Sequence, residues 1–323
     1  MKKIIIAIVV IVCPVFVLAQ QLPEVSYFMY DYSRTNPGSL GSEDMVCATL
    51  IHKNSWLKMP GRPTDTYVDT EVPFNLFGGK HGAGFSFLQD KYGFYNNYHL
   101  RIGYAFRFTV ANGTLGIGIN GGFNQYTLKA NWDGAGAFNP TTDPNIPQST
   151  GEGGAKGYAF SAGIFYRADD IYFGISVLNA YASEIDYAGA AASATSVAST
   201  ASEKLRPHYY ITSGYKVQLS NPAFELQPAV NLYSDGSIVT FDLNTTLMYN
   251  KKIWGGVSYR AGSSAIGMLG LMILDGLKVG YAYDFQTSAL SRYSTGSHEI
   301  LMNYCFKIGK DKSPQRYKSI RYL

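Results

Sequence analysis

The sequence has 323 residues, of which 46% are hydrophobic and only 15% charged, and its formal net charge is +4. A charge this small, with no strand-length basic stripe, excludes nucleic acid as an expected partner. The chain is rich in aromatic residues and glycine, with 26 Tyr, 18 Phe and 34 Gly against 3 Trp and 13 Pro, and this enrichment indicates β structure that meets an interface.

The chain begins with a segment typical of a secretory signal peptide. Two lysines precede an apolar run from Ile4 to Leu18, and a small-residue pattern that a signal peptidase accepts ends at Ala19. The run is shorter than the roughly 20 residues of a membrane-spanning helix. Residues 1–19 are therefore predicted to be removed, so that the mature chain begins at Gln20 or Gln21.

Residues 44–307 alternate between apolar and polar side chains. From Tyr98 to Phe108 every second residue is apolar, whereas His99, Arg101 and Arg107 share the opposite face. A period of two is the pattern of a β-strand. The pattern predicts about 14 strands, near residues 45–56, 64–74, 81–89, 97–110, 113–128, 156–167, 170–178, 206–219, 222–233, 238–250, 252–262, 264–273, 277–284 and 297–307.

Strand length and face chemistry together predict the fold. Soluble strands usually have about 5 or 6 residues, whereas a tilted strand that crosses a bilayer needs roughly 9 to 11, and most of these runs are of the longer kind. We therefore expect an all-β protein, a transmembrane antiparallel up-and-down β-barrel with its apolar face on lipid and its polar face on the lumen. The alternative, a soluble β-sandwich or lipocalin-like barrel, would not need a Tyr-rich apolar face on so many long strands. For 264–273 the sequence does not decide which residues face outward, because Ile266 and Met268 are apolar on one face and Leu269 and Leu271 are apolar on the other.

The connections between the strands predict the orientation. The long connections, about 129–155, 179–205 and 285–296, are the fifth, seventh and thirteenth, whereas short ones such as 110–113 and 168–170 fall at even positions. Outer-membrane barrels keep their periplasmic turns short and their external loops long. The N- and C-termini are therefore both expected in the periplasm.

The inward face is predicted to carry charges of both signs, which we expect to pair across the lumen. These residues are Arg101, Arg107, Arg167, Lys216, Arg260, Lys278, Asp69, Glu71, Glu225, Asp242, Asp284 and Glu299. A competing interpretation is an aqueous anion-selective pore, since about 14 strands lie between the 8 that side chains fill and the roughly 16 to 18 that leave a channel. Residues 20–43 precede the first strand and are predicted to be a periplasmic segment or a plug in this lumen. Cys47 and Cys305 fall in distant strands, and two buried, unpaired thiols are expected rather than a pair.

No catalytic, cofactor or metal site is predicted, and we do not expect an enzyme. Ser297 and His298 are neighbours in a strand and point to opposite faces, so they cannot form a hydrogen-bonded dyad. The 5 His lack metal-ligand spacing. A Gly-x-Gly-x-x-Gly match at 116–121 lies inside a strand instead of a loop that opens a helix, and its glycines are expected to relieve crowding at a bend of the sheet.

Four short blocks carry a family resemblance. They are PEVSYFMYDYSRTNPGSLGS (23–42), with Pro23, Ser26, Phe28, Met29, Asn36, Pro37 and Gly41; HKNSWLKMPGRPTDTYVDTEVPF (52–74), with Lys53, Asn54, Trp56, Gly61, Pro63 and Pro73; GAGFSFLQDKYG (82–93), with Asp90, Lys91 and Gly93; and GSHEILMNYCFKI (296–308), with His298, Glu299 and Ile300. In this order they resemble the PorP/SprF family of type IX secretion membrane proteins of Bacteroidota-type bacteria. Asp31 and Gly38 depart from the Asn and Ala of the family pattern.

The resemblance implies a bacterial outer-membrane component of the type IX secretion and gliding machinery. Members of the family work with periplasmic ring and motor lipoproteins, and many hold a secreted cargo or adhesin at the surface through its C-terminal domain. The expected partners are therefore outer-membrane lipid, these lipoproteins and such a cargo; the alternative is a general porin or small-solute channel. The motif residues with an implied structural or partner-binding role are Ser26, Met29, Asn36, Pro37, Gly41, Asn54, Trp56, Asp90, His298 and Glu299.

The chain ends in a basic tail, residues 308–323. Its basic residues are Lys310, Lys312, Arg316, Lys318 and Arg321, against a single acidic residue, Asp311. Such a tail is often simply solvated. The functional alternative is a periplasmic tail that docks an acidic or peptidoglycan-associated partner.

Overall fold

A computed structural model describes residues 22–129, 150, 154–186 and 202–307. The described chain is a closed antiparallel β-barrel of 14 strands, which confirms the predicted fold class. The strands are β1 (Val46–Asn54), β2 (Thr64–Leu76), β3 (Gly79–Tyr92), β4 (Tyr95–Val110), β5 (Gly113–Leu128), β6 (Ala155–Arg167), β7 (Ile171–Ala182), β8 (Glu184–Asp186), β9 (Ser202–Lys204), β10 (His208–Tyr215), β11 (Val217–Gln218), β12 (Phe224–Ser234), β13 (Val239–Tyr249), β14 (Ile253–Arg260), β15 (Ser264–Leu274), β16 (Leu277–Gln286) and β17 (Ser297–Phe306).

Each barrel strand pairs with its neighbours in the chain, and β1 pairs with β17 to close the cylinder. Strand β11 continues β10, and the two together count as one barrel strand next to β12. Strands β8 and β9 form a small separate sheet in the connection between β7 and β10. Within the described residues, no helix is long and apolar enough to cross a membrane.

The outer face of the barrel is apolar and the inner face is polar. On β4, Ile102 is 71% exposed on the outside, whereas His99 and Arg107 are buried inside. On β15 the open question of phase is resolved, because Met268 is buried in the lumen and Leu269 lies outside with 59% exposure. An exposed apolar exterior is the reverse of a soluble barrel, and it suits contact with lipid.

The two ends of the barrel differ in the length of their connections. At one end, called here the long-loop end, β1, β5, β7 and β16 end, and the residues that separate them from the next barrel strand are 55–63, 129–154, 183–207 and 287–296. At the other, the short-turn end, lie turns such as 111–112 and 250–252, where Ala111 and Asn250 adopt positive φ angles typical of tight hairpins.

Cys47 and Cys305 form a disulfide, so the expectation of two unpaired thiols is wrong. The two residues lie directly opposite each other in the register of β1 and β17, with their Cα atoms 4.1 Å apart. Their sequence separation of 258 residues hides this proximity, which arises only because closure of the barrel brings the first and last strands together. The disulfide therefore links the two strands at the closing seam, near the short-turn end.

Residues 22–45, called here the N-terminal segment, run through the inside of the barrel. The segment starts at the long-loop end, where Leu22 packs against Leu178, Tyr210 and Tyr233, and it reaches the short-turn end before β1 begins. Leu22 therefore lies at the end opposite Lys307, which follows β17 at the short-turn end. The two ends of the described chain lie at opposite ends of the barrel, because the segment spans the length of the lumen. The N- and C-termini themselves, predicted to be periplasmic, lie outside the described residues.

Candidate functional site: a filled lumen and a cavity at its long-loop end

Near the long-loop end, a carboxylate of the last strand holds the N-terminal segment. The backbone N–H of Ser26 donates to both carboxylate oxygens of Glu299, at 3.0 and 2.8 Å, and the N–H of Tyr27 donates to Oε1 at 3.2 Å. Lys53 Nζ lies 3.8 Å from Glu299 Oε2 and donates to the carbonyl oxygen of Glu24 at 2.7 Å. Two sequence blocks 273 residues apart thus meet in one charge-assisted contact.

Arg260, on β14, also holds the segment. Its Nε lies 2.8 Å from Glu24 Oε2 and donates to Asp242 Oδ1 at 2.9 Å, and its Nη2 donates to the carbonyl oxygen of Val25 at 3.2 Å. Asp284 Oδ2 lies 3.9 Å from Nη1. A buried guanidinium persists when it is paired and hydrogen-bonded in this way. The predicted inward charges are therefore present, but Arg260 bonds to the segment and to the neighbouring strand instead of across an open lumen.

Aromatic side chains fill the middle of the lumen. Tyr27 meets Trp254 edge-on, with ring centroids 5.6 Å apart, and Tyr30 lies 4.9 Å from the same indole ring. Met29 and Met268 belong to the same buried cluster. These contacts give the barrel a hydrophobic core between its wall and the segment.

Between this core and the short-turn end, the segment lies directly on the backbone of β5 and β6. The side chain of Asn36 donates to the carbonyl oxygen of Ile164 at 2.9 Å and accepts from the N–H of Gly38 at 2.9 Å, where a short 3-10 helix begins. A Cβ at Gly118 would overlap the carbonyl oxygen of Pro37. Gly116 and Gly118 of the 116–121 match therefore permit the close approach of another backbone, which corrects for these two the expectation that they relieve a bend of the sheet.

The segment is also bonded at the short-turn end. The N–H of Gly41 donates to Glu71 Oε2 at 2.8 Å. Asp44 Oδ1 accepts from Arg107 Nη2 at 2.8 Å, and Glu43 Oε2 accepts from Arg167 Nη2 at 3.1 Å. Three of the inward residues predicted from alternation thus bond to the segment.

A row of inward side chains crosses several strands at the long-loop end, and it is called here the luminal row. Consecutive members face each other in the register of neighbouring strands, and they are Glu299, Lys53, Asp65, Asp90, Asn97 and Tyr126. Glu299 and Lys53 bond to the segment, as described above. The row therefore runs around the barrel wall, from the Glu299 contact with the segment on β17 to Tyr126 on β5.

A cavity of about 680 Å³ opens at this end, and it is called here the long-loop cavity. It lies between Leu22–Glu24, the β1–β2 loop (55–63) and the luminal row. Trp56 lies on the rim of this cavity, and the backbone N–H of Trp56 donates to Ser297 Oγ at 3.2 Å. A second cavity, of about 320 Å³, lies at the short-turn end and includes Cys47 and Cys305 in its lining.

The described residues contain no cluster of three or more His, Cys, Asp or Glu that could hold a metal ion.

The sequence matches one known protein family over most of its length. A family described as "Type IX secretion system membrane protein PorP/SprF" matches residues 17–304. The chain belongs to the PorP/SprF family. The resemblance inferred from the four sequence blocks is thereby confirmed, and the membership and the barrel fold support a location in the outer membrane. No curated protein matches the chain.

Solved outer-membrane proteins are similar to this PorP/SprF chain at low sequence identity. A deletion variant of the monoaromatic hydrocarbon channel TodX is 10% identical with a TM-score of 0.52, and the match covers 85% of this chain and 93% of that one. Omp33 of Acinetobacter baumannii is 10% identical with a TM-score of 0.44 over 82% and 98% of the two chains, and the channel CymD is 11% identical with a TM-score of 0.49 over 82% and 88%. The TodX match shows the fold alone.

The structure brings most PorP/SprF motif residues to the lumen. The motif residues that lie in the N-terminal segment or on the luminal row are Ser26, Met29, Asn36, Pro37, Gly41, Asp90 and Glu299. Asn54 and His298 instead lie on the outward faces of their strands, where His298 bonds to the hydroxyl of Tyr281. The tail residues Lys310, Lys312, Arg316, Lys318 and Arg321 lie outside the described residues.

Four acidic residues that contribute to this site were not predicted. Glu24, Glu43 and Asp44 precede the first strand, where no periodicity indicates which way a side chain points. Asp65 could have been found, because it has the same parity on β2 as Asp69, which was predicted to face the lumen.

Proposed function

We propose that this PorP/SprF chain is a plugged outer-membrane component of type IX secretion and gliding that holds a secreted cargo or adhesin by the C-terminal domain of that protein. The observation that carries the proposal is the N-terminal segment, which occupies the lumen and is bonded to the barrel wall at both ends. Family membership supports the link to the secretion machinery. A filled lumen leaves the surfaces at the two ends as the places where partners bind.

The two ends are assigned different partners in this proposal. The long-loop end faces the outside and meets the cargo with the connections 129–154 and 183–207. The short-turn end faces the periplasm, where the basic tail, residues 308–323, docks ring and motor lipoproteins. Residues 1–19 are removed as a signal peptide, and residues 20–43 act as the plug.

The bonds of the segment argue against a wide pore. Removing one partner of a buried ion pair costs about 3 to 5 kcal/mol, because the remaining charge is left uncompensated. One such contact joins Glu24 to Arg260, whereas the pair of Glu43 and Arg167 is partly exposed and contributes less. Thermal opening of the whole lumen is therefore expected to be rare.

A general porin or small-solute channel is the alternative function. The long-loop cavity and the cavity at the short-turn end lie toward opposite ends of the lumen, and a narrow path between them would serve a small solute. Liposome swelling tests this alternative with the purified full-length protein. Rapid sugar uptake would favour the channel, and swelling no faster than that of protein-free liposomes favours the plugged holder.

The holding function is tested in the cells that produce the protein. Deletion of the gene is expected to release a secreted protein from the cell surface into the medium while solute uptake stays normal. The solubilised wild-type protein is expected to co-purify with that cargo and with periplasmic lipoproteins. Normal surface retention in the deletion strain would rule out the proposal.

A further inference from the structure

Two carboxylates face each other on neighbouring strands of the luminal row. Asp65 on β2 is the direct partner of Asp90 on β3, and Asp90 is the direct partner of Asn97 on β4. All three side chains are buried, with exposures of 2%, 6% and 1%. Like charges directly opposite in a sheet are destabilising, so the pair is stabilised by any positive charge, a shared proton or a cationic group, that comes close to it.

Lys53, the cation of the luminal row nearest to this pair, already bonds to other groups. Lys53, on β1, lies directly opposite Asp65 in the register of the two strands. Its Nζ, however, donates to the carbonyl oxygen of Glu24 and lies 3.8 Å from Glu299. Asp65 Oδ1 and Asn97 Oδ1 are buried and have no hydrogen-bond partner. Buried acceptor oxygens without donors are unfavourable, and a donor group that enters the cavity would satisfy them.

The long-loop cavity gives such a donor access. Asp65, Asp90 and Asn97 all line it. Its volume of about 680 Å³ lies within the roughly 300 to 1,000 Å³ of ligand pockets. Trp56 and Tyr92 contribute aromatic surface to the lining, and aromatic faces attract lysine and arginine side chains.

We propose that Asp65, Asp90 and Asn97 form a binding site for a lysine or arginine side chain, carried by an extended segment of a partner that enters the barrel from its long-loop end. The charged head bonds to the two carboxylates and the amide oxygen, and the flanking residues pack on Trp56 and Tyr92. Two carboxylates and one amide oxygen suit an ammonium or guanidinium group better than Ca²⁺, which takes 6 to 8 oxygen ligands. The proposal rests on the proposed function for the identity of the partner, which would be the cargo.

Direct peptide binding tests the site with the full-length protein in detergent. The probe is a blocked peptide with a central lysine between leucines, and the matched peptide carries norleucine in place of lysine. Saturable binding of the lysine peptide by calorimetry is expected, with affinity about ten- to a hundredfold higher than that of the norleucine peptide, as for hydrogen bonds to charged groups. Asp90→Asn and Asp65→Asn are expected to remove most of this difference.

Two control variants separate the site from general charge effects. Asp169→Asn removes the same charge from an exposed turn at the short-turn end and is expected to leave binding unchanged. Arg62 lines the cavity and is exposed, so Arg62→Gln is expected to bind the lysine peptide at least as tightly as the wild type. Heat-modifiable migration in gels verifies that each variant is folded, and the Asp→Asn variants keep the shape of the side chain.

The outcomes distinguish this site from the proposed function. Equal affinity for the lysine and norleucine peptides, undiminished affinity in both Asp→Asn variants, or no saturable binding would overturn the site. If the Asp→Asn variants lose peptide binding but still retain the cargo on cells, the site does not hold the cargo, although the cargo-holding function stands. If peptide binding is specific but gene deletion releases no surface protein, the proposed function fails and the site remains.

Discussion

Arg260 holds three carboxylates near the long-loop end of the lumen. It bonds to Glu24 of the segment and to Asp242 of the neighbouring strand, and Asp284 lies close by. Its loss would leave these three carboxylates without their cation. A guanidinium in this position therefore links the plug to the wall of the barrel.

Replacement of Arg260 by methionine is expected to destabilise the folded protein by about 3 to 5 kcal/mol. The temperature at which the barrel loses its compact migration in SDS gels measures this effect. Arg292→Gln removes an exposed arginine from the β16–β17 connection and is expected to change that temperature little. Equal temperatures for the two variants would show that the Arg260 network does not stabilise the fold.

Gly118→Ala tests the close approach of the segment to β5. The added methyl group would overlap the carbonyl oxygen of Pro37, so the segment must shift away from β5. We expect the variant to keep the barrel but to expose residues 22–45 to protease, with cleavage detected by mass spectrometry. Gly267→Ala places the same methyl group in open space on β15 and is expected to protect the segment as the wild type does. Equal protection in both variants would contradict the proposed role of Gly118.

At the scale of the elements, the disulfide between β1 and β17 is the one covalent link across the closing seam. In the chain-entropy model, a crosslink that encloses 258 residues stabilises by an amount on the order of 5 kcal/mol. Its position next to the short-turn cavity gives a reductant access to it. An oxidising compartment such as the periplasm suits its formation.

Dithiothreitol is therefore expected to lower the temperature at which the wild-type barrel unfolds in gels. The Cys47→Ser, Cys305→Ser double variant is expected to unfold at a similarly reduced temperature, because it lacks the same link. Dithiothreitol should have no further effect on the double variant, which makes it the matched control. A wild-type barrel insensitive to complete reduction would refute the contribution of the disulfide.

The strands could be predicted from the sequence because alternation is a local property that each strand displays by itself. Each of the predicted runs corresponds to a barrel strand, and even the ambiguous run became β15. The disulfide could not be predicted, since only the closure of the sheet brings Cys47 opposite Cys305. Local pattern thus gives the elements, whereas contacts across the seam depend on the strand count and register together.

At the scale of the whole molecule, the site was only partly predictable. Alternation correctly assigned Asp242, Arg260 and Glu299 to the lumen. It could not give their partners, because those belong to a segment without periodicity whose path is set by contacts with several strands. The family blocks identified both sides of the Ser26–Glu299 contact without indicating that they touch. The geometry explains why residues so far apart belong to one pattern.

The course of the segment predicts on which side of the membrane the segment starts. Leu22, the first residue that the structure describes, packs against Leu178, Tyr210 and Tyr233 at the long-loop end. The start of the segment should therefore share a side with the long loops, opposite the short turns. With the long loops outside, as proposed, it faces the cell exterior.

Labelling of single cysteines on intact cells tests this topology in the Cys47→Ser, Cys305→Ser background. Gln21→Cys is compared with Ser291→Cys in the β16–β17 connection and with Asp169→Cys in a short turn, both of which are exposed positions. A membrane-impermeant maleimide is expected to label Gln21→Cys and Ser291→Cys but to label Asp169→Cys only after the cells are lysed. Because the segment is threaded through the lumen, the first two variants should behave alike whichever way the barrel is oriented. If Gln21→Cys instead behaved like Asp169→Cys, the N-terminal segment would not traverse the barrel.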